Sequence, residues 1–202
     1  MIEISPDEKI LHRLLGSALE MAGAASQCED VQVLNLACGA CKEVEVVSAA
    51  ALDKLGRKGS ELRFVGADIR GAGISEARER ARALTEKGAQ VEFMEADCSK
   101  LGDHGELCRE FDMVFLRHQN FWNDRKAWRK IFQNGMEHLS DSGLLVITSY
   151  FDLEHELAVK AIREAGGELI SSVRNNDSRE LPTPGKSVDR HLAVFRKPGR
   201  RG

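Results

Sequence analysis

Four places in the chain pair reactive side chains with short apolar runs. Asp68 and Asp97 each close such a run, Arg117 and His118 follow a third, and Ala37-Cys-Gly-Ala-Cys41 follows a fourth. A carboxylate at a strand end is placed to accept both hydroxyls of a ribose, and one on the next strand to accept from an exocyclic amine such as adenine's. The small side chains of residues 37–41 leave backbone N–H groups open to polar or anionic ligand atoms. His118 carries an imidazole, the side chain type suited to proton removal near neutral pH, and Arg117 can clamp a carboxylate or phosphate. The same two side chains can equally tie a loop down through hydrogen bonds. Cys38 and Cys41 form a CxxC with no second ligand pair, so they read as loop filling rather than a metal or redox centre.

The elements that must position these residues follow from periodicity. Val31, Val33, Leu34 and Leu36 predict a strand buried on both faces, and Val44, Val47, Ala51, Leu52 and Leu55 predict the helix after it. Lys58-Gly-Ser is a turn, and residues 62–68 form a second strand. Ile74, Ala77, Ala81 and Leu84 line a helix that Gly88 stops. Strands are predicted over 89–97, 111–116 and 143–149, with Trp128, Ile131, Phe132 and Leu139 on the helix between the last two. Asp152 can cap a helix carrying Leu157, Ala161 and Ile162. Two final strands, 168–173 and 191–195, are joined only by a polar loop holding Pro182 and Pro184, which predicts an antiparallel hairpin. Before all this, Ser5 and Pro6 open a helix with Leu11, Leu15 and Leu19 on one face, packed at the sheet edge or closing over the site. The alternation of strand and helix implies parallel strands and a ligand at their carboxyl ends, where strand order reverses.

Composition sets the class. The chain has 202 residues, 42% hydrophobic and 30% charged, enough for one packed domain. No apolar run approaches the ~20 residues of a membrane helix, and the N-terminus shows no signal-peptide pattern, so a cytoplasmic protein is expected. Five cysteines at irregular spacing read as reduced thiols. A net charge of −3, with Lys and Arg interspersed among acids, gives no footprint for nucleic acid. The basic run from Arg196 to Gly202 reads as a frayed end. The expected organisation is a single domain over 1–202, with a helical extension at 1–30 and a core at 31–197.

From residue 31 to 195 the sequence resembles the class I S-adenosylmethionine-dependent methyltransferases. Val33-Leu-Asn-Leu-Ala-Cys-Gly39 is similar to their cofactor loop, Val65-Gly-Ala-Asp-Ile69 to the second-strand motif and Val91-Glu-Phe-Met-Glu-Ala-Asp-Cys98 to the third. Residues 111–116 and 139–147 are similar to the fourth and fifth strands. The resemblance implies a Rossmann-like α/β fold: a seven-stranded, mostly parallel sheet with an antiparallel last strand, helices on both faces and an extra N-terminal helix. It implies S-adenosylmethionine as cofactor, with Asn35, Ala37, Cys38, Gly39, Asp68, Ile69, Asp97, Cys98 and Leu116 around it. His118 and Arg117 would then serve the methyl acceptor, expected to be a small molecule, with Phe121, Trp122 and Tyr150 walling its pocket or filling space. His155 is a second choice as base, and His191 an ordinary strand residue. The family's loop acid and three alternating glycines are here Asn35, Ala37, Gly39 and Cys41. Asn35 keeps an acceptor without the charge that attracts the cofactor's ammonium, and Ala37 fits only if its φ stays negative. A non-catalytic cofactor-binding protein is the alternative reading. A nicotinamide-dependent reductase is less favoured, because Tyr150 is followed four residues on by Glu154 rather than Lys.

Overall fold

The computed structural model describes residues 5–24, 28–103, 107 and 110–199. Residues 1–4 and the end of the basic tail, 200–202, lie outside the described residues. In chain order the elements are α1 (Pro6–Met21), β1 (Cys28–Leu36), α2 (Val44–Leu55), β2 (Gly56–Asp68), α3 (Gly71–Glu86), β3 (Gln90–Glu95), β4 (Phe111–Arg117), α4 (Arg125–Glu137), β5 (Leu139–Ser149), α5 (Asp152–Glu164), β6 (Glu168–Arg174) and β7 (His191–Arg196). The strands form one seven-stranded sheet in the order β3-β2-β1-β4-β5-β7-β6. Neighbours pair in parallel from β3 to β5, while β7 runs antiparallel to both β5 and β6. Strand order reverses between β1 and β4, so the crevice above their carboxyl ends is where a ligand belongs.

Both sheet faces are dry because the central strands alternate two sets of apolar side chains. Val31, Val33, Met113, Phe115, Leu144 and Val146 join one core, and Leu34, Leu36, Val114, Leu116, Leu145 and Ile147 join the other. Helices α2 and α3 cover the first core, and α4 and α5 the second. Helix α1 is not an edge decoration. Its Leu11, Leu15 and Leu19 share the first core with Leu144, Leu192 and Val194, and it packs on α2 and β7. It opens as expected, with Ser5 and Glu8 forming a reciprocal capping box.

Three local expectations are corrected. Leu139 starts β5 opposite Phe111 rather than ending α4, and residues 140–143 bulge before Leu144 pairs with Met113. Asp152 is not a cap, since Phe151 holds that position without a side-chain bond. Its carboxylate instead receives Arg190 Nε at 2.7 Å and lies 2.6 Å from His191 Nε2, tying the start of α5 to β7. The 58–60 turn is a bulge within β2, between the pairs Cys28 with Gly56 and Asp30 with Glu61. Among the described residues no helix is long and apolar enough to cross a membrane.

Candidate active site at the switch point

After β1 the backbone takes a left-handed conformation at three alternate residues: Ala37 at φ 54°, Gly39 at 55° and Cys41 at 42°. The expectation that Ala37 avoids positive φ is therefore overturned. The loop keeps a glycine-rich shape with two non-glycine residues in it, each costing roughly 1–2 kcal/mol. Neighbouring strand ends hold it there. Cys38 N–H donates to Ala67 O at 3.1 Å, Gly39 N–H to Asp68 Oδ2 at 2.8 Å, and Ala37 N–H to Cys98 Sγ at 3.4 Å. A Cβ at Gly39 would lie 2.8 Å from the exposed Arg70 guanidinium, which would have to shift.

Asp68 is buried and already engaged. Its Oδ1 accepts from Arg70 N at 2.9 Å and Arg70 Nε at 3.1 Å, so it braces the loop as much as it faces a ligand. Asp97 Oδ1 accepts from Ser99 N at 3.0 Å and Ser99 Oγ at 2.7 Å, and those bonds hold its pKa below the usual carboxylate range. Ile69 stands 64% exposed at the end of β2. Burial pushes the Cys98 thiol up to about 12, which makes it a filler rather than a nucleophile. Of the expected cofactor residues, Ala37, Cys38 and Gly39 line the crevice, whereas Asn35, Asp68, Ile69, Asp97, Cys98 and Leu116 are not among its lining residues. Leu116 is fully buried in the second core. Asn35 is fully buried under the loop, where Nδ2 donates to Glu43 Oε1 at 2.8 Å and to Cys41 Sγ at 3.3 Å, and Oδ1 has no partner.

Across the crevice, β4 delivers Arg117 and His118 into a closed ion network. Arg117 donates to both oxygens of Asp189, at 3.0 and 2.6 Å, and to Glu43 Oε2 at 3.4 Å. Burial opposes its charge, but those carboxylates hold its pKa above the ordinary value. Arg117 is thus spent within the chain and does not stand free as an acceptor clamp. His118, at φ 57°, places Nε2 2.8 Å from Asp189 Oδ1 and stacks on Tyr150 with centroids 3.6 Å apart. Lys186 Nζ lies over the Tyr150 ring, 4.3 Å from its centroid. Thr148 Oγ1 also donates to Asp189 Oδ1, at 2.7 Å. Burial alone would raise the Asp189 pKa, yet His118 and Arg117 hold it well below the carboxylate range.

These residues meet in a crevice of about 490 Å³ lined by the 37–43 loop, Arg70, Arg117, His118, Tyr150 and the β6–β7 connection through Arg179, Leu181 and Val188. Asp7 of α1 also reaches it and receives Arg179 Nε at 3.1 Å, so the first helix fastens one rim. Tyr150 walls the crevice, but Phe121 stacks on Phe132 in the core and Trp122 is not among the lining residues. His155 is no base. Buried between Ser149 Oγ at 3.3 Å and Ser172 Oγ at 2.8 Å, it has its pKa pushed down to about 4 by desolvation. A larger apolar groove of about 690 Å³, lined by residues of α1 and α2, holds none of the strand-end residues. Sequence reasoning missed Glu43, Asp189 and the Asp7–Arg179 pair. Glu43 had a signal, as an acid at the end of a loop whose usual acid is absent. Asp189 had none, lying 72 residues from Arg117.

Strand order and loop geometry define a Rossmann-like α/β fold with a crevice at its switch point. A family profile described as a methyltransferase domain matches residues 28–185. The chain belongs to that family. A search of curated protein sequences gives no match. Similar solved structures include an N-methyltransferase from Bradyrhizobium japonicum, at 18% identity and TM-score 0.66, covering 96% of this chain and 98% of that one. An S-adenosylmethionine-dependent methyltransferase from Clostridium acetobutylicum matches at 12% identity and TM-score 0.68, covering 95% and 92%. The magnesium protoporphyrin IX methyltransferase of Synechocystis, solved with S-adenosylmethionine bound, matches at 15% and 0.63, covering 94% and 81%. At these identities the likeness is one of fold.

Proposed function

We propose that this chain transfers a methyl group from S-adenosylmethionine, in line, to a small-molecule acceptor. The carrying observation is that the left-handed 37–43 loop and the His118–Tyr150 stack line one crevice, so donor and acceptor groups meet there. The residues fit the cofactor. The left-handed loop and the buried carboxylate of Glu43 line the crevice, and Ile69 adds an exposed apolar side chain just after Asp68. Arg70, 72% exposed at its side chain, can leave Asp68 at small cost when a ribose takes its place.

S-adenosylmethionine supplies a methyl already activated by its sulfonium sulfur. The protein's share is orientation, exclusion of water and, for a hydroxyl or ammonium acceptor, removal of a proton. His118 takes that proton. His118 Nε2 lies 2.8 Å from Asp189 Oδ1 and 3.1 Å from the Asp189 backbone N–H; in the tautomer whose Nε2–H donates to the carboxylate, Nδ1 is the base. Tyr150 fixes the ring plane, and its own pKa, raised by burial, keeps the phenol neutral. The negative net charge supports a small acceptor over a nucleic acid. Free thiols at Cys28, Cys38, Cys41 and Cys98 support a cytoplasmic setting.

Isothermal titration followed by mass spectrometry tests this. S-adenosylmethionine should bind where NADPH does not, and at least one small hydroxyl, amine or thiol compound should gain a methyl group. Binding without transfer to any acceptor leaves a binding protein, and no binding overturns the proposal.

A further inference from the structure

Resting on that reading of the cofactor, we infer that Glu43 carries the negative charge that receives the cofactor's ammonium group, in exchange for the strand residue Asn35. The two side chains form a single hydrogen-bonded pair, Asn35 Nδ2 to Glu43 Oε1 at 2.8 Å, so amide and carboxylate sit side by side below the loop. Glu43 is buried yet lines the crevice, whereas Asn35 does not. The charge has moved one side chain toward the ligand.

Charge counting points the same way. Glu43 and Asp189 are two buried carboxylates, and Arg117 is the one guanidinium between them. Arg117 meets Asp189 at 2.6 Å but Glu43 only at 3.4 Å, so Glu43 is the weaker claimant on that cation. Glu43 is therefore left without a close cation of its own, and a buried carboxylate needs one. A primary ammonium, with three donors, matches a carboxylate that is buried and still lines the crevice. The helix start beside Glu43 does not account for the carboxylate, because Glu43 makes no side-chain capping bond to α2.

The test is binding, measured by isothermal titration with two probes. S-adenosylhomocysteine carries the ammonium, and 5′-methylthioadenosine keeps the adenosine and sulfur without it. E43Q should weaken S-adenosylhomocysteine by about tenfold or more and leave 5′-methylthioadenosine within about twofold, as expected for loss of one charge-assisted bond. The swap N35D/E43Q rebuilds an amide–carboxylate pair with the charge on the strand, and should restore S-adenosylhomocysteine to within about threefold of wild type. Thermal unfolding reports whether each variant is folded. Equal weakening of both probes by E43Q, no weakening, or no recovery in the folded double variant would each overturn the inference. Wild-type protein that binds neither probe would overturn the cofactor reading first, and this inference with it.

Discussion

The two ends of the crevice are built by different means. At the β2–β3 end, each acid is satisfied almost where it stands. Asp97 binds Ser99 and Lys100, and Asp68 Oδ1 binds Arg70, all within three residues; Asp68 Oδ2 alone reaches further, to Gly39 N–H. At the β4 end nothing is local. Arg117 and His118 are held by Asp189, which reaches them from the far side of the β6–β7 connection, and by Glu43 from the loop after β1. The second end needs the β6–β7 connection in place before its side chains find their partners. A local end tolerates change residue by residue, whereas a distributed end fails as a unit.

The largest effect expected from this contrast is at Asp189. Asp189→Asn leaves Arg117 and Thr148 around a neutral amide, and losing one partner of a buried ion pair costs about 3–5 kcal/mol. Urea unfolding should show that loss. The pH dependence carries the same sign. The folded Asp189 pKa lies below its unfolded value, so its stabilisation is complete above the unfolded pKa. It is lost as pH falls below about 4 toward the folded value. The variant should show a flatter acid limb than wild type, and an unchanged limb would mean that the network contributes nothing. Asp68→Ala at the local end should instead spare most of the stability. It should weaken S-adenosylmethionine by about 1–3 kcal/mol, because ribose hydroxyls and Gly39 N–H lose one acceptor. Comparable destabilisation by both variants would erase the distinction between the ends.

What could be read from the sequence divides along the same line. Strands, order and the positions of Asp68 and Asp97 were legible, because period-two apolar runs ending in acids leave a local imprint. Ala37 was misread for the opposite reason. An alanine announces negative φ, but bonds from Ala67, Asp68 and Cys98, all distant in sequence, impose φ 54° on its loop. Leu116 and Asn35 sit where the motif puts them, yet packing turns one into the core and the other under the loop. Arg117 had the chemistry of a clamp, but which anion it would hold depended on Asp189, and the polar loop before β7 gives no pattern to find it.

Smaller effects sharpen the comparison within the local end. Ala37→Gly relieves a left-handed alanine but adds freedom to the unfolded chain, for a net stabilisation of about 0.5–1 kcal/mol. A rise in thermal midpoint would confirm the strain, and a fall would place the loop's cost elsewhere. Arg70→Ala is the subtlest. Arg70 is a solvent-exposed partner of Asp68 whose guanidinium rests against Gly39, on the surface a ribose would use. Removing it frees Asp68 Oδ1 from Nε while the backbone N–H bond remains. An exposed ion pair is worth about 0.2–1 kcal/mol, so S-adenosylmethionine should bind a few tenths to 1 kcal/mol more tightly. Because salt screens exposed pairs, added salt should narrow the difference between wild type and variant by weakening the competitor in the wild type alone. Weaker binding in the variant would instead make Arg70 a cofactor contact, and the local end would then share the distributed logic of the other.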